Sequence, residues 1–272
     1  MEDPVNAMLC HHGFHPSMLA WCSMHQLNLG IMQDFSGSAI LLLVRISFFG
    51  NYNAEDHLRE SMKECTRRFK DFCKLHSFEC SQCWLTTGML HDNQTGWPSL
   101  KLKAYNARIF LMFVRAALQA AKSAREAQGL EEDAELSYAV MAAKALCSWF
   151  ALVERAGRYL TPEQAAEQET AGLVFLRCYT FLARLAASQS IRRWHVITKF
   201  HGFRHILQSA RLTLYNSRFL HTYVDEDFVG VWIRLSRRVA HALFEFRVLC
   251  RFLLRLQAMR TVDQRSVPAR WS

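Results

Sequence analysis

Residues 99–127, SLKLKAYNARIFLMFVRAALQAAKSAREA, decide the fold. The stretch contains neither Gly nor Pro, and Leu100, Leu102, Ile109, Met112, Phe113 and Leu118 supply an apolar side. Apolar residues at that spacing lie along one face of a helix. The spacing predicts a long helix over 99–127. Working downstream, Gly129 followed by Glu131-Glu132-Asp133 marks a break and an acidic first turn, which suits the positive end of a helix dipole. The helix that follows is expected to run to about Ala156, with Gly157 after it. Thr161-Pro162-Glu163 combines an N-cap residue with Pro at the first helical position, and opens a helix to about Ala187. A helix over Ile191–Leu214 would hold His195, His201 and His205; Tyr215–Tyr223 reads as a polar connection. A final helix is expected from Asp225 to about Met259.

Upstream, His91–Pro98 is the clearest loop. Ala54–His76 is amphipathic, Gly50-Asn51-Tyr52-Asn53 is a turn, and a helical pattern covers Gln33–Phe49. Ser17–Trp21 could form a short strand. The expected architecture is therefore mainly α: an irregular array of about seven helices with at most one N-terminal strand. Its parts are a loose segment over 1–16, a helical region over 17–190, a basic helical region over 191–260, and a tail over 261–272.

Composition agrees with this reading. Of 272 residues, 51% are hydrophobic and 21% charged, a folding composition and not a disordered one. Eleven Gly and five Pro leave little material for the many turns of a sandwich or barrel. The net charge of +9 is uneven: residues 191–272 hold 15 Lys+Arg against 5 Asp+Glu, and the first 190 residues nearly balance. Such asymmetry points to a polyanionic partner, or to an Arg-rich solvated surface. Nine Cys at irregular spacing read as reduced thiols. Met1-Glu2-Asp3-Pro4 has no secretory pattern, so an intracellular protein is expected, nuclear if it binds DNA. The longest apolar run, Ala39–Val44, is far short of the ~20 residues of a membrane span. No membrane span is expected.

Four groups of residues could carry chemistry. Cys73, His76, Cys80 and Cys83 fall within eleven positions and could close a zinc site. A single cluster, with Cys73 and Cys80 at core positions of a helix, fits buried thiols better. Lys199-Phe200-His201 and His205 place two imidazoles four residues apart on one helix face, as metal ligands, phosphate contacts or half-buried histidines. Asp225-Glu226-Asp227 suits a helix start by capping alone. Arg247, Arg251 and Arg255 repeat every four residues, with Arg234, Arg237 and Arg238 a few turns earlier. Guanidinium groups bind phosphate in bidentate fashion, and a solvated stripe has the same pattern.

Three stretches also carry a resemblance. Cys22-Ser23-Met24-His25-Gln26-Leu27-Asn28-Leu29-Gly30-Ile31 resembles the (D or C)-x-M-H-x-L-x-L-G segment of RNase-H-like DDE transposases of the CACTA and Plavaka-like groups. Trp97-Pro98-Ser99-Leu100-Lys101-Leu102-Lys103-Ala104 is similar to the start of their helical insertion, and Lys199–His205 with Asp225–Gly230 to their late K-(F/L)-H-x3-H … E segment. The resemblance implies that Cys22, His25, His201 and His205 are motif residues and that Glu226 is the third catalytic acid. Together with the basic C-terminal third, it leads to an expectation of DNA contact through Lys199, Arg204, Arg247, Arg251 and Arg255. The family's first two catalytic Asp residues lie upstream of the M-H segment, where only Asp3 occurs. Two-metal chemistry needs at least two carboxylates. The resemblance thus implies a truncated, inactive relative, with Mg²⁺ expected only in an intact homologue. A helical interaction module without catalytic ancestry is the alternative.

Overall fold

The structure is a computed structural model describing residues 11, 20–82, 84–90, 96–237, 239 and 243–266, with side chains at 224–227 and 259–266 outside that description. Eight helices form among the described residues: α1 Met24–Arg45, α2 His57–Leu75, α3 Ala104–Ala127, α4 Ala134–Arg155, α5 Pro162–Ser188, α6 Thr198–Thr213, α7 Tyr223–Ser236 and α8 Phe244–Ser266. No strand occurs among them. Ala20 and Trp21 lie in none, and 17–19 fall outside the described residues, as do 1–10, 12–16 and 267–272 of the two terminal segments. The fold is mainly α, as the sequence predicts.

The chain divides into two units, 1–221 and 222–272. In the first, α1 is the axis. Leu27, Ile31, Met32, Phe35, Ala39, Ile40, Leu42 and Leu43 are fully buried, and Asn28, Asp34, Ser36 and Ser38 are buried with them, so nearly every side of the helix faces protein. Its first part, Met24–Ile31, is π-helical, with Leu29 off helical geometry (φ −97°, ψ 19°). The helix therefore begins well before Gln33, and the M-H segment is part of it. It ends at Arg45, because Ser47 adopts φ 56° and turns the chain.

The segment before α3 is not helical. Ser99–Lys103 runs extended across α1, where the Leu100 N–H donates to the Gln33 carbonyl (2.9 Å) and Gln33 Nε2 to the Leu102 carbonyl (2.8 Å). Gly37 makes this crossing possible: a Cβ there would stand 2.8 Å from the Ser99 backbone nitrogen. Helix α4 begins where the Asp133 carboxylate accepts from the Leu136 N–H (3.0 Å). Helix α5 begins with a full capping box between Thr161 and Gln164.

Residues 191–197, expected as helix, form an irregular buried strap instead. Arg193 makes two bonds to Glu135 (2.8 and 2.7 Å), and Trp194 Nε1 donates to the same carboxylate (2.7 Å). Trp194 is 1% exposed and takes φ 59°. Placing both side chains inside overrides local helix preference, so helix α6 starts only at Thr198. The expected final helix is also two helices: α7 ends at Ser236 and Leu243 has φ 61° before α8. Within this second unit Phe228 and Trp232 of α7 pack on Phe252 of α8.

Three helices, Met24–Arg45, Ala134–Arg155 and Pro162–Ser188, are long and apolar enough to cross a membrane by length and composition. In the first two, most of that apolar stretch is buried inside the protein. No run of consecutive residues betrays them, because their apolar residues are spread over whole helices.

Candidate functional site

Of the stretches that carry the resemblance, the M-H segment meets the start of α3 and the Lys199–His205 segment; Asp225–Gly230 belongs to the second unit. Lys199, at the start of α6, reaches α1 and donates to the Leu29 carbonyl (2.7 Å), at the kink of the π-helical segment. Gly30 leaves room for it: a Cβ there would lie 2.2 Å from Lys199 Cδ. Asn28, 4% exposed, donates to the Ala104 carbonyl (3.0 Å) and so ties the same segment to the start of α3. Trp21 stacks on His205 (5.8 Å, 3°).

Asp34 stands at the centre of this meeting, in the first turn of the α-helical part of α1. It is 8% exposed. Burial pushes its carboxyl above the usual carboxylate range, against the Ser99 hydroxyl, which hydrogen-bonds it, and the charges of His195, Lys101 and Lys199. Lys199 is itself lowered by burial, while Asp34 opposes that shift and Lys101 adds to it. Beneath, Tyr179 is raised well above its ordinary value by burial and by Asp34; its hydroxyl donates to the His195 carbonyl (2.9 Å). His195 lies in the strap before α6, not inside a helix, and stacks on Trp97 (4.6 Å, 7°). One buried carboxylate thus sits among two lysines and an imidazole. Such an arrangement can hold a proton or balance an anion, and it fixes the angle between α1 and α6. No local signal marked Asp34, since its partners lie 65 to 165 residues away in sequence.

The remaining candidates fall at separate places. His25 Nδ1 lies 3.3 Å from Cys22 Sγ. His201 and His205 form a pair with Nε2 atoms 2.9 Å apart. A cleft of about 530 Å³ opens beside them, lined in part by Trp21, His205, Ser209, Thr213, Tyr215 and Leu220. Of the four proposed zinc ligands, Cys83 lies outside the described residues. Cys73 and Cys80 are half-buried and pack on the core; burial, with Cys80 beside it, pushes the Cys73 thiol up to about 11. His76 is exposed, stacks on Phe78 and lies tilted against Phe72. Among the described residues no three His, Cys, Asp or Glu side chains gather as metal ligands.

Lys199 is half-buried, and Arg204 is exposed on α6. In the second unit α8 carries Arg247, Arg251 and Arg255, all exposed. Arg251 donates to the Leu235 carbonyl (3.2 Å), bridging the two helices of that unit. No carboxylate among the described residues pairs with Arg247 or Arg255. Glu226 lies in the first turn of α7, and its side chain is outside the described set.

Compared with protein-family models, curated proteins and solved structures, the chain matches none of them.

Proposed function

We propose that this protein is a transposase-like helical protein that binds the phosphate backbone of DNA through its C-terminal arginines. The observation that carries the reading is α8: three arginines four residues apart on one exposed helix, two of them without a carboxylate partner among the described residues. Such a stripe offers planar donors at the spacing of helical turns, and phosphate oxygens accept them in pairs. Arg204, exposed on α6, adds cationic surface to the first unit. The packing of the M-H segment against the start of α3 and against Lys199 supports a common origin with the transposases these segments resemble. Lys199 serves there as an internal tie, and the backbone contacts fall to the arginines. Catalysis is not part of the proposal. Among the residues matching the family's motifs, Glu226 alone represents the carboxylates that two-metal chemistry requires.

The test is binding to fluorescent duplex DNA across a salt series. Log affinity should fall with log salt by about 0.9 per phosphate contacted. Replacing Arg247, Arg251 and Arg255 by Gln should flatten that slope by roughly 2.7, three contacts' worth. A flat series for the native protein would reject DNA binding. It would favour the second reading, a protein-interaction module, which the exposed Phe246, Leu249, Leu253 and Leu254 of α8 support.

A further inference from the structure

His201 and His205 stand one turn apart on α6, with Nε2 atoms 2.9 Å apart, ring centroids 4.4 Å apart and ring planes at 88°. The opposite side of α6 buries Phe203, Ile206 and Leu207, so the helix face that presents the pair is fixed by the core behind it. Trp21 lies parallel to the His205 ring and holds its plane. Two imidazole nitrogens bound about 2.05 Å from one metal at a right angle stand about 2.9 Å apart. Tetrahedral corners would put them about 3.3 Å apart. The spacing in α6 is that of neighbouring corners of a square or octahedron.

We propose that His201 and His205 form a surface site for a late first-row divalent ion, copper(II) or nickel(II), with water in the remaining positions. Both metals take imidazole readily and adopt right-angled geometry. In the metal-free protein one Nε2–H donates to the other Nε2. On binding, that proton moves to Nδ1 of the same ring, and both Nε2 lone pairs face the ion. The total charge of the pair is unchanged, so no proton need leave. Both Nε2 atoms already lie side by side, so assembling the site asks only that the rings turn to aim their lone pairs at the ion. Arg204, between the two histidines in sequence, is exposed and long enough to swing away from the cation.

The full chain would be titrated with nickel(II) by calorimetry, beside His201→Gln and His205→Gln. Each variant should bind nickel at least tenfold more weakly, with an unchanged melting temperature. Zinc(II) should bind the native protein more weakly than nickel(II). Copper(II) should quench Trp21 emission, read as the difference between the native protein and Trp21→Phe, and the quenching should vanish in His201→Gln. Isotherms of the two variants superimposing on the native one would overturn the proposal. So would nickel binding that disappears on alkylating the thiols, which would assign it to cysteine. The measurement uses no DNA, so its failure is distinct from failure of the DNA-binding reading.

Discussion

Arginine does opposite work in the two units of this molecule. Arg193 in the first is 7% exposed and bonds Glu135 with both arms of its guanidinium, while Trp194 donates to the same carboxylate. Arg45 reaches that cluster from the surface, 3.3 Å from Glu135 and 2.8 Å from Asp133. In the second unit Arg247 and Arg255 lie in solvent beside exposed leucines. A buried guanidinium costs so much to desolvate that its partner becomes indispensable. An exposed one is tolerated without a partner and stays available. Charge counted along the sequence gives both the same weight. Only burial separates the arginine that holds the fold from those that can meet a ligand.

That contrast breaks most sharply at Glu135. Glu135→Ala leaves Arg193 buried without a counter-charge and should cost ~3–5 kcal/mol, read from urea unfolding. A loss below about 1 kcal/mol would mean that Arg193 escapes to water and the two regions are alike. Next comes Gly37→Ala. The Cβ meets the backbone of Ser99, which cannot swing aside as a side-chain tip can, so ~1–3 kcal/mol is expected. The arginines of α8 should give the reverse result: Arg247→Gln should stay within ~0.5 kcal/mol of the native protein in the same assay.

Asp34 offers a subtler comparison. Its carboxyl is raised in the folded protein, so the folded state binds its proton more tightly than the unfolded chain does. Asp34 therefore takes away stability as pH rises through its folded value. Asp34→Asn should melt higher than the native protein at neutral pH, and the gain should fade once pH falls below about 4, where the unfolded carboxyl is protonated too. A small effect is also expected at Glu64, whose carboxyl is drawn down to about 2 by Arg67, with Arg68 adding to it. These are surface pairs, and Glu64→Gln should cost under ~1 kcal/mol. That contribution is present above about pH 4.3 and is lost as pH falls through about 2, where the folded carboxyl is protonated.

Where the sequence predicted well, the cause was local. Thr161-Pro162 and Gln164 form their capping box within four residues, and Asp133 caps α4 from the next position. Amphipathic α2 needed only its own period. Where prediction failed, the cause was distant. The strap at 191–197 is irregular because Glu135, 58 residues before Arg193, claims the guanidinium. Ser99–Lys103 stays extended because α1 offers it a carbonyl and an amide. The break after Ser236 carries no Gly or Pro, and follows from Phe228 and Trp232 meeting Phe252. The site was legible in part. The motif stretches were visible, and so was the His201–His205 spacing. Asp34 as their meeting point was not, since burial and three-dimensional proximity decide it.

The thiols of the first unit amount to a built-in clock. Cys65 is wholly buried and its thiol is raised far above its ordinary value; Cys147, also buried, is raised to about 11. A thiol without its thiolate does not react. An alkylating reagent added to the native protein would therefore mark these two only in the moments when the core opens. The rate at which label accumulates would time those openings, with no probe introduced and no denaturant present.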